Sequence, residues 1–326
     1  MPRFSVVIPN WNGERFLETC FEALRRQDMQ DFETILVDNG STDGSLRLVA
    51  ERYPEVRILK MGRNAGFACA VNKGIQAATA PLIVLLNNDT EADSSWLSSI
   101  NRAVKKHPEA DFFASKMLDF KDRTIIDSCG NAMSWSGKAY KLGEGEMDGP
   151  EWRQGKFVFG ACAGAAVYRK ELFEKIGTFD ETYMTYLEDV DIDFRAQLSG
   201  SRCYFVPDAK VYHIGSGTSG KRSEFGFRMA TKNHFHLIGK NYPNRFIWKN
   251  IGKLLYSEAR LIAAAVRDGY LKAYLQGMSG FWHESRHMLE ERRRIQSSRT
   301  VTDAYLTEVI VPTFAFTPIR KALHGK

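Results

Sequence analysis

With 326 residues, 44% of them hydrophobic and 26% charged, and a net charge of +6, the chain has the composition of a globular protein with room for one α/β domain and an appendage. No stretch approaches the roughly 18 apolar residues of a membrane-spanning helix, and no signal peptide is recognisable. The five cysteines are scattered, which argues against a disulfide framework or a zinc knuckle and favours a reducing cytoplasm.

The first 115 residues alternate predicted strands and helices, as in a βαβ array. Strands are predicted over residues 4–8, 33–37, 56–59 and 82–86, and helices over residues 13–27, 45–53, 67–78 and 96–107. Each strand ends in polar or glycine residues, and in an open parallel sheet such ends lie along one edge. We therefore expect a nucleotide-sized crevice at that edge.

The predicted strand at residues 82–86 is entirely apolar and is followed at once by Asn87, Asn88 and Asp89. A strand that is buried on both faces would deliver Asp89 to the sheet edge, where a metal-bound phosphate can be held. Asparagine and aspartate are also ordinary turn residues after a strand. This segment alone leaves both interpretations open.

Two further strand ends carry residues suited to a nucleotide. Asp38 could accept the imide hydrogen of uracil or thymine, with Asn39 or Ser41 near the ribose; alternatively, Asp38 and Ser41 only shape a turn and cap the next helix. At the following strand end, Gly66 would let a ligand approach the start of a helix. The alternative for residues 64–66 is a simple loop.

The pattern changes after residue 115. Residues 130–149 are rich in glycine and predict a loop and hairpin that we interpret as a lid, and strands are predicted over residues 203–206 and 211–214. Beyond residue 225 the spacing of apolar residues predicts helices over residues 228–240, 246–267 and 270–298. Residues 309–319 are apolar but broken by two prolines, which predicts an edge strand or an apolar patch.

An acidic segment places four carboxylates in six positions, at Glu188, Asp189, Asp191 and Asp193. On a helix, Glu188 and Asp191 share one face and Asp189 and Asp193 another, so that one pair can look into the crevice. Apolar neighbours would raise the pKa of a carboxylate toward use as a general base. The alternative is that these acids only complement the dipole of a helix N-terminus.

Two histidine patterns suggest metal binding. His213 ends a predicted strand before a Gly/Ser loop; a lone histidine is usually structural, but together with Asp89 it could complete a Mn²⁺ or Mg²⁺ site. Residues 283–287 match the H-E-x-x-H pattern of zinc proteases. Because Arg286 would lie beside the metal on a strongly basic helix, we expect no zinc hydrolase.

Taken together, the motifs resemble those of the family 2 glycosyltransferases of the GT-A fold, and most of all their bacterial rhamnosyltransferase-type subgroup. Six segments carry the resemblance, in the family's order: VVIPNWN (6–12), ILVDNGSTDGS (35–45), RNAGFACAVNKGI (63–75), LLNNDT (85–90), GTFDETYMTYLEDVDIDFR (177–195) and VYHIGSGTS (211–219). The resemblance covers roughly residues 3–240 and implies an α/β fold with a Rossmann-like mixed sheet.

The resemblance also implies a role for each matching residue. Asp189 of the Glu188–Asp189 pair would be the general base, and His213 would contact the metal or the diphosphate. Asp89 would be the last residue of the metal-binding Asp-x-Asp motif, whose first acidic position is Asn87 in this chain. Asp38 would read the uracil or thymine, and the donor nucleotide would also be contacted by Pro9, Asn10, Asn12, Asn39, Asn64, Gly66 and Asn88.

We therefore expect an inverting, non-processive glycosyltransferase with a Mg²⁺ or Mn²⁺ cofactor and no nucleic-acid partner. It would move one sugar from a UDP- or dTDP-sugar, with dTDP-rhamnose as the first choice, to a hydroxyl of a surface-glycan or lipid-linked acceptor. The Gln-x-x-Arg-Trp motif of processive synthases is missing. One alternative is a sugar nucleotidyltransferase, although the first strand lacks its Gly-rich, basic loop; the other is a catalytically inactive glycan-binding module.

The charge is concentrated in the C-terminal part of the chain. We divide the chain into a GT-A catalytic domain at residues 1–240 and a basic, mainly helical extension at residues 241–326, which holds 14 Lys+Arg and 7 Asp+Glu, a net charge of +7. Basic and aromatic residues favour a cytoplasmic enzyme that lies peripherally at the inner face of the cell membrane. The same features would suit a homodimer interface or a solvated helix face.

Overall fold

The computed structural model describes residues 1–215 and 223–312. The strands are β1 (Phe4–Asn10), β2 (Phe32–Asp38), β3 (Arg57–Lys60), β4 (Leu82–Leu86), β5 (Thr90–Ala92), β6 (Phe112–Asp119), β7 (Ile126–Ser128), β8 (Asn131–Met133), β9 (Ala139–Lys141), β10 (Lys156–Val158), β11 (Ala165–Arg169) and β12 (Cys203–His213). The helices are α1 (Glu14–Arg25), α2 (Ser45–Arg52), α3 (Phe67–Ala77), α4 (Trp96–Lys106), α5 (Lys170–Ile176), α6 (Glu188–Leu198), α7 (Glu224–Asn241), α8 (Asn244–Arg267), α9 (Leu271–His283), α10 (Ser285–Ser297) and α11 (Asp303–Val309).

A mixed sheet organises the described part of the chain, with strand order β10-β12-β6-β11-β4-β1-β2-β3. Strands β4, β1, β2 and β3 are parallel, and β11 is inserted antiparallel between β4 and β6. Strand β12 runs parallel to β6 and therefore in the same direction as β4. As a result, the carboxyl end of β12 reaches the same sheet edge as the carboxyl ends of β1, β2 and β4.

Helices cover both faces of the sheet because alternate residues of each strand point in opposite directions. On one face, Val6 and Ile8 of β1 belong to a core cluster with Leu17 of α1. On the other face, Val7 belongs to a cluster with Val71 of α3. All five residues of β4 are buried, which confirms the prediction of a strand enclosed on both faces.

A third core cluster joins the C-terminal helices to α6. Phe194 of α6 stacks at a tilt on Tyr242, which follows α7, and Tyr242 meets Phe246 of α8 edge to face. Ile295 of α10 and Leu306 of α11 complete the cluster. Helix α6, which carries the acidic segment, is therefore packed between the sheet and the C-terminal helices.

Two sequence-based predictions were wrong in detail, and one helix was missed. The strands predicted at residues 203–206 and 211–214 form the single strand β12, whose pairing with β6 is interrupted by a bulge between Val206 and Lys210. The helix predicted over residues 270–298 is two helices, α9 and α10, which are separated at Glu284. Helix α11 was not predicted. Most of the apolar segment at residues 309–319 lies outside the described residues.

Throughout residues 1–215 and 223–312, no helix combines the length and the apolar character that crossing a bilayer requires.

Candidate functional site

A cavity of about 320 Å³ lies at the carboxyl ends of the parallel strands. Eight of the predicted site residues line it: Pro9, Asn10, Asn39, Asn64, Gly66, Asn88, Asp89 and His213. Ligands of open α/β sheets bind at this edge, and the cavity has the size of a small-molecule site. A larger cavity of about 530 Å³ lies near β10 and α11, and none of the predicted site residues lines it among the described residues.

Buried amide groups tie the loops of this cavity together. Asn10 accepts a hydrogen bond from Asn88 Nδ2 at 2.7 Å, and its own Nδ2 donates to Ser41 Oγ at 3.1 Å. Asn39 Nδ2 donates to Asn64 Oδ1 at 3.1 Å. These bonds link the ends of β1, β2 and β4, so the amide side chains that face the cavity are held in fixed positions.

Four predicted site residues do not contribute to the cavity lining in the described part of the chain: Asn12, Asp38, Glu188 and Asp189. Asp38 is buried behind Asn10, whose Nδ2 lies 3.4 Å from Asp38 Oδ1, and Asp38 Oδ2 accepts the Ser41 N–H at 3.2 Å. Asn12 has φ +50° and accepts the Thr42 N–H at 2.8 Å. In the described structure, both side chains stabilise the loops after β1 and β2.

Gly66 brings the start of α3 against the loop that precedes α6. Its φ is +94°, and a Cβ at this position would lie 2.7 Å from the carbonyl oxygen of Met184. That oxygen accepts the Phe67 N–H at 2.6 Å. Only glycine fits so close an approach in this backbone conformation.

Asp89 and His213 meet at the sheet edge, as their positions at the ends of β4 and β12 predict. Asp89 Oδ1 lies 3.3 Å from His213 Nε2. The other ring nitrogen, Nδ1, lies 2.9 Å from Asp127 Oδ2, and Asp127 Oδ1 accepts a hydrogen bond from Lys141 Nζ at 3.0 Å. The result is a chain of four alternating charges from Asp89 to Lys141.

This chain of charges determines the ionisation of His213. Burial would lower the pKa of His213, but the hydrogen bonds with Asp127 and Asp89 outweigh it and raise the pKa to about 9. Burial would likewise raise the pKa of Asp127, whereas His213 and Lys141 lower it to about 2. In the protein as described, His213 is an imidazolium at neutral pH.

The donor set partly fits a divalent cation. Among residues 1–215 and 223–312 there is no group of three or more His, Cys, Asp or Glu side chains that could hold a metal ion. Asp89 and His213 would supply one carboxylate and one imidazole, and Mg²⁺ commonly takes one or two carboxylates together with substrate phosphates. The contact from Asp127 to His213 Nδ1 is the arrangement that orients metal-binding histidines.

Asp189 and Asp193 share one face of α6 and meet a common partner, as the helical spacing predicts. Asn131 Nδ2 donates to Asp189 Oδ2 at 3.2 Å and to Asp193 Oδ2 at 2.8 Å. Asp189 Oδ2 also accepts the Ala163 N–H at 3.3 Å. Asp189 is only partly buried and remains accessible, whereas Asp193 is fully buried.

Glu188 differs from Asp189 in its surroundings. It is buried, and its Oε2 has no hydrogen-bond partner among the described residues. Burial, together with the charge of Asp189, raises the pKa of Glu188 to about 8. Glu188 is therefore a neutral acid at pH 7, and a protonated carboxyl cannot act as a general base.

Asp191 serves the fold. It is fully buried between Arg195 Nε and Lys240 Nζ, each 3.0 Å from a carboxylate oxygen, and it accepts a further bond from Asn241 Nδ2 at 2.8 Å. Burial would raise its pKa, but Lys240 and Arg195 outweigh it and lower the pKa. Lys240 also pairs with Asp180.

The loop before α6 has an unusual backbone. Met184, Tyr186 and Leu187 have φ values of +59°, +69° and +64°, a region that non-glycine residues rarely adopt. Asn233 of α7 holds this loop, since its Nδ2 donates to the carbonyl oxygens of Tyr183, Thr185 and Tyr186 at 2.9, 2.8 and 2.8 Å. Strain of this kind concentrates at functional sites.

The H-E-x-x-H segment is divided between two helices. His283 ends α9, whereas His287 belongs to α10 and contacts Asp180 at 3.2 Å. Glu284, between the two helices, accepts bonds from Lys232 Nζ at 2.9 Å and lies 3.1 Å from His236 Nε2.

Three residues that contact the site were not predicted from the sequence: Asp127, Asn131 and Asn233. Asp127 and Asn131 lie on the three-residue strands β7 and β8, in a region of low apolar content, and Asn233 lies in the middle of a helix. No motif marks them. Their contacts with His213, Asp189 and the loop before α6 arise only when distant segments pack together.

Comparison with known proteins gives one family match. Residues 5–177 match the family model described as Glycosyl transferase family 2. The chain is 27% identical over 239 residues to the N-acetylglucosaminyl-diphospho-decaprenol L-rhamnosyltransferase of Mycobacterium tuberculosis, a match that covers 65% of this chain and 75% of that protein. It is 28% identical over 230 residues to the O-antigen biosynthesis protein RfbC of Myxococcus xanthus, covering 67% of this chain and 18% of that protein.

Solved structures share the fold at low sequence identity. The structure of S. aureus TarS residues 1–349 in complex with UDP-GlcNAc has a TM-score of 0.59 and 16% identity, with 91% of each chain covered. The structure of GalNAc-T7 with UDP, GalNAc and Mn²⁺ has a TM-score of 0.63 and 16% identity, covering 87% of this chain and 57% of that chain. This similarity confirms the expected GT-A fold.

Proposed function

The chain belongs to glycosyl transferase family 2, and from this premise we propose that it moves one sugar from a UDP- or dTDP-sugar to a glycan or lipid-linked acceptor, with inversion at the anomeric carbon. The observation that carries this proposal is the cavity at the strand ends, which is lined by Asn10, Asn39, Asp89 and His213. It offers amide groups for a nucleoside on one side and a charged pair for a diphosphate on the other.

Two relatives guide the choice of substrates. The mycobacterial relative is named a rhamnosyltransferase that acts on a decaprenyl-diphosphate-linked sugar, which favours dTDP-rhamnose as donor and a lipid-linked glycan as acceptor. The TarS structure was solved with UDP-GlcNAc, which keeps a UDP-sugar as the second choice of donor.

Asp189 is the proposed general base. It is partly exposed at the start of α6, and Asn131 and the Ala163 N–H orient its carboxylate. It would take the proton of the acceptor hydroxyl as that oxygen attacks the anomeric carbon from the side opposite the leaving group. Glu188 would stay neutral beside it, so the two neighbouring acids would not repel each other as a pair of charges.

Asp89 and His213 are the proposed diphosphate end of the site. A divalent cation held by these two residues would supply charge stabilisation for the leaving diphosphate. A metal ion would require the neutral imidazole, so the positive charge of the His213 imidazolium is the alternative that would stabilise the same group without a cation. Asp127 and Lys141 would fix the orientation of the His213 ring from behind.

The proposal is tested with the purified full chain and a panel of nucleotide sugars, with Mn²⁺ or Mg²⁺ present. We expect one UDP- or dTDP-sugar to stabilise the protein by about 2.7 kcal/mol at 100 times its Kd. The same donor should be consumed when a polyprenyl-diphosphate-linked sugar is added, and NMR of the product should show an anomeric configuration opposite to that of the donor.

Three results would contradict the proposal. Retention of the donor configuration would exclude inversion. Formation of a nucleotide sugar from a nucleoside triphosphate and a sugar 1-phosphate would indicate a nucleotidyltransferase. Glycan binding without turnover of any donor would indicate an inactive binding module.

A further inference from the structure

Helix α8 carries an apolar stripe on its exposed side. Six residues form it, all exposed: Trp248, Ile251, Leu255, Ala259, Ile262 and Val266. Their spacing of three or four residues aligns them on one face of the helix, over a length of about 27 Å. Trp248 is 73% exposed and Leu255 is 63% exposed, so these large side chains are open to solvent.

The stripe is separate from the core. The buried residues of α8 are Phe246, Asn250 and Ala265, which lie on other faces of the helix. Monomeric proteins rarely expose apolar surface in such a continuous band, and a band of this kind indicates an interaction surface.

One flank of the stripe is basic. At 100° per residue, Arg245, Lys249, Lys253, Arg260 and Arg267 all fall on the same side of it. The one acidic residue of α8, Glu258, falls on the opposite flank and accepts a hydrogen bond from Tyr274. Five basic residues and one acidic residue give the helix a net charge of +4.

We infer that this face of α8 binds the surface of an anionic lipid bilayer, with the helix lying in the plane of the interface. The apolar stripe would enter the boundary between headgroups and acyl chains, a depth at which tryptophan is favoured. The basic flank would meet anionic headgroups, because long basic side chains extend from the apolar surface toward charge. The inference does not depend on the proposed sugar transfer.

Charge argues against a second copy of the chain as the occupant. If two α8 helices packed antiparallel about a twofold axis, their basic flanks would lie side by side, and such like-charge contacts are unfavourable. If the two helices packed parallel, the basic flank of each copy, with five cations, would face the opposite flank of the other copy. That flank offers one carboxylate, Glu258, which already bonds to Tyr274.

Flotation of the full chain with vesicles tests the inference. At low salt we expect the chain to float with phosphatidylcholine vesicles that contain phosphatidylglycerol, to float much less with phosphatidylcholine alone, and to be released as salt screens the charges. Leu255→Glu should lower the partition coefficient at least tenfold. Arg245→Gln should lower it roughly fivefold.

Matched variants separate the stripe from general surface effects. Leu289→Glu changes a leucine of α10 that is 47% exposed, and Arg286→Gln neutralises an exposed arginine of the same helix. Both variants should float like the wild type, and circular dichroism should show every variant folded. The dependence of flotation on salt and on lipid charge is measured with the unaltered chain, so this part of the test does not rely on any variant.

The inference is overturned if the full chain fails to float with anionic vesicles at low salt. It is also overturned if the α8 variants float as well as their α10 controls. Elution as a dimer that Leu255→Glu converts to a monomer, without flotation, would assign the stripe to a contact between copies.

Discussion

Asn233 holds the loop before α6, and its replacement by alanine should loosen that loop. The two N–H groups of its amide are shared among three carbonyl oxygens at 2.8–2.9 Å. A neutral hydrogen bond contributes about 1 kcal/mol net, and a buried acceptor left unpaired costs somewhat more. We therefore expect Asn233→Ala to lower the free energy of unfolding by about 2–3 kcal/mol.

We expect Asn233→Ala to cause a larger fractional loss of turnover than of stability. Met184, Tyr186 and Leu187 hold positive φ values that cost about 1–3 kcal/mol each and persist only while their surroundings fix them. Asp189 is the second residue of α6, which begins directly after this loop, and a shift of about 1 Å in a reacting group can lower the rate about 100-fold. We expect kcat to fall at least tenfold.

Urea denaturation and steady-state transfer kinetics provide the measurements. Asn250→Ala is the matched control, because Asn250 is also buried in a helix but makes one backbone bond, to the Phe246 carbonyl at 3.0 Å, away from the loop. If Asn233→Ala changes stability and kcat no more than Asn250→Ala does, the loop is not held by Asn233 and the reasoning is refuted.

Other predictions concern the charged groups of the site. Asp189→Asn should lower turnover about 100-fold or more with little change in donor affinity. Glu188→Gln should keep near-wild-type turnover at pH 7, because Glu188 is already neutral there. Equal losses of turnover in the two variants would contradict the assignment of Asp189 as the general base. The pKa of Glu188 is about 8 in the folded protein against about 4.3 in an unfolded chain, so the wild type should lose stability as the pH rises from about 5 to 8. In urea denaturation, Glu188→Gln should show a smaller loss over this range, and not none, because burial also raises the pKa of Asp193. A chelator should weaken donor binding and transfer, and Mn²⁺ or Mg²⁺ should restore both. Full activity in excess chelator would indicate that His213 stabilises the diphosphate without a metal ion. Asp127→Asn should weaken donor binding about 10- to 100-fold in calorimetry, while Asp122→Asn, an exposed aspartate in the loop before β7, should have no effect.

Part of the fold and of the site could be predicted because the signals for it are local. An uninterrupted apolar run identified β4, and polar residues at the strand ends placed Asp89 and His213 at one edge of the sheet. The spacing of the acids in α6 also predicted that Asp189 and Asp193 share a face.

The remaining features depend on contacts between distant segments. Nothing in the composition near Glu284 ends a helix, because glutamate is a good helix former; its bonds to Lys232 and His236 are tertiary. The burial that leaves Glu188 neutral likewise follows from packing. Asp127 is identified as a candidate site residue only by its 2.9 Å contact with His213 in the folded chain.

The buried lysine at the end of α7 has a consequence for anyone who shortens this protein. Lys240 joins Asp180 and Asp191, and the next residue, Asn241, bonds to Asp191 as well. Gln296 of α10 donates to the carbonyl oxygens of Lys240 and Asn241 at 3.1 and 2.9 Å. A stop codon after residue 240 would delete Asn241 and Gln296 and open the ion cluster beneath α6 to water. Limited proteolysis of the intact chain is therefore a better guide to a minimal fragment than the change in sequence composition near residue 240.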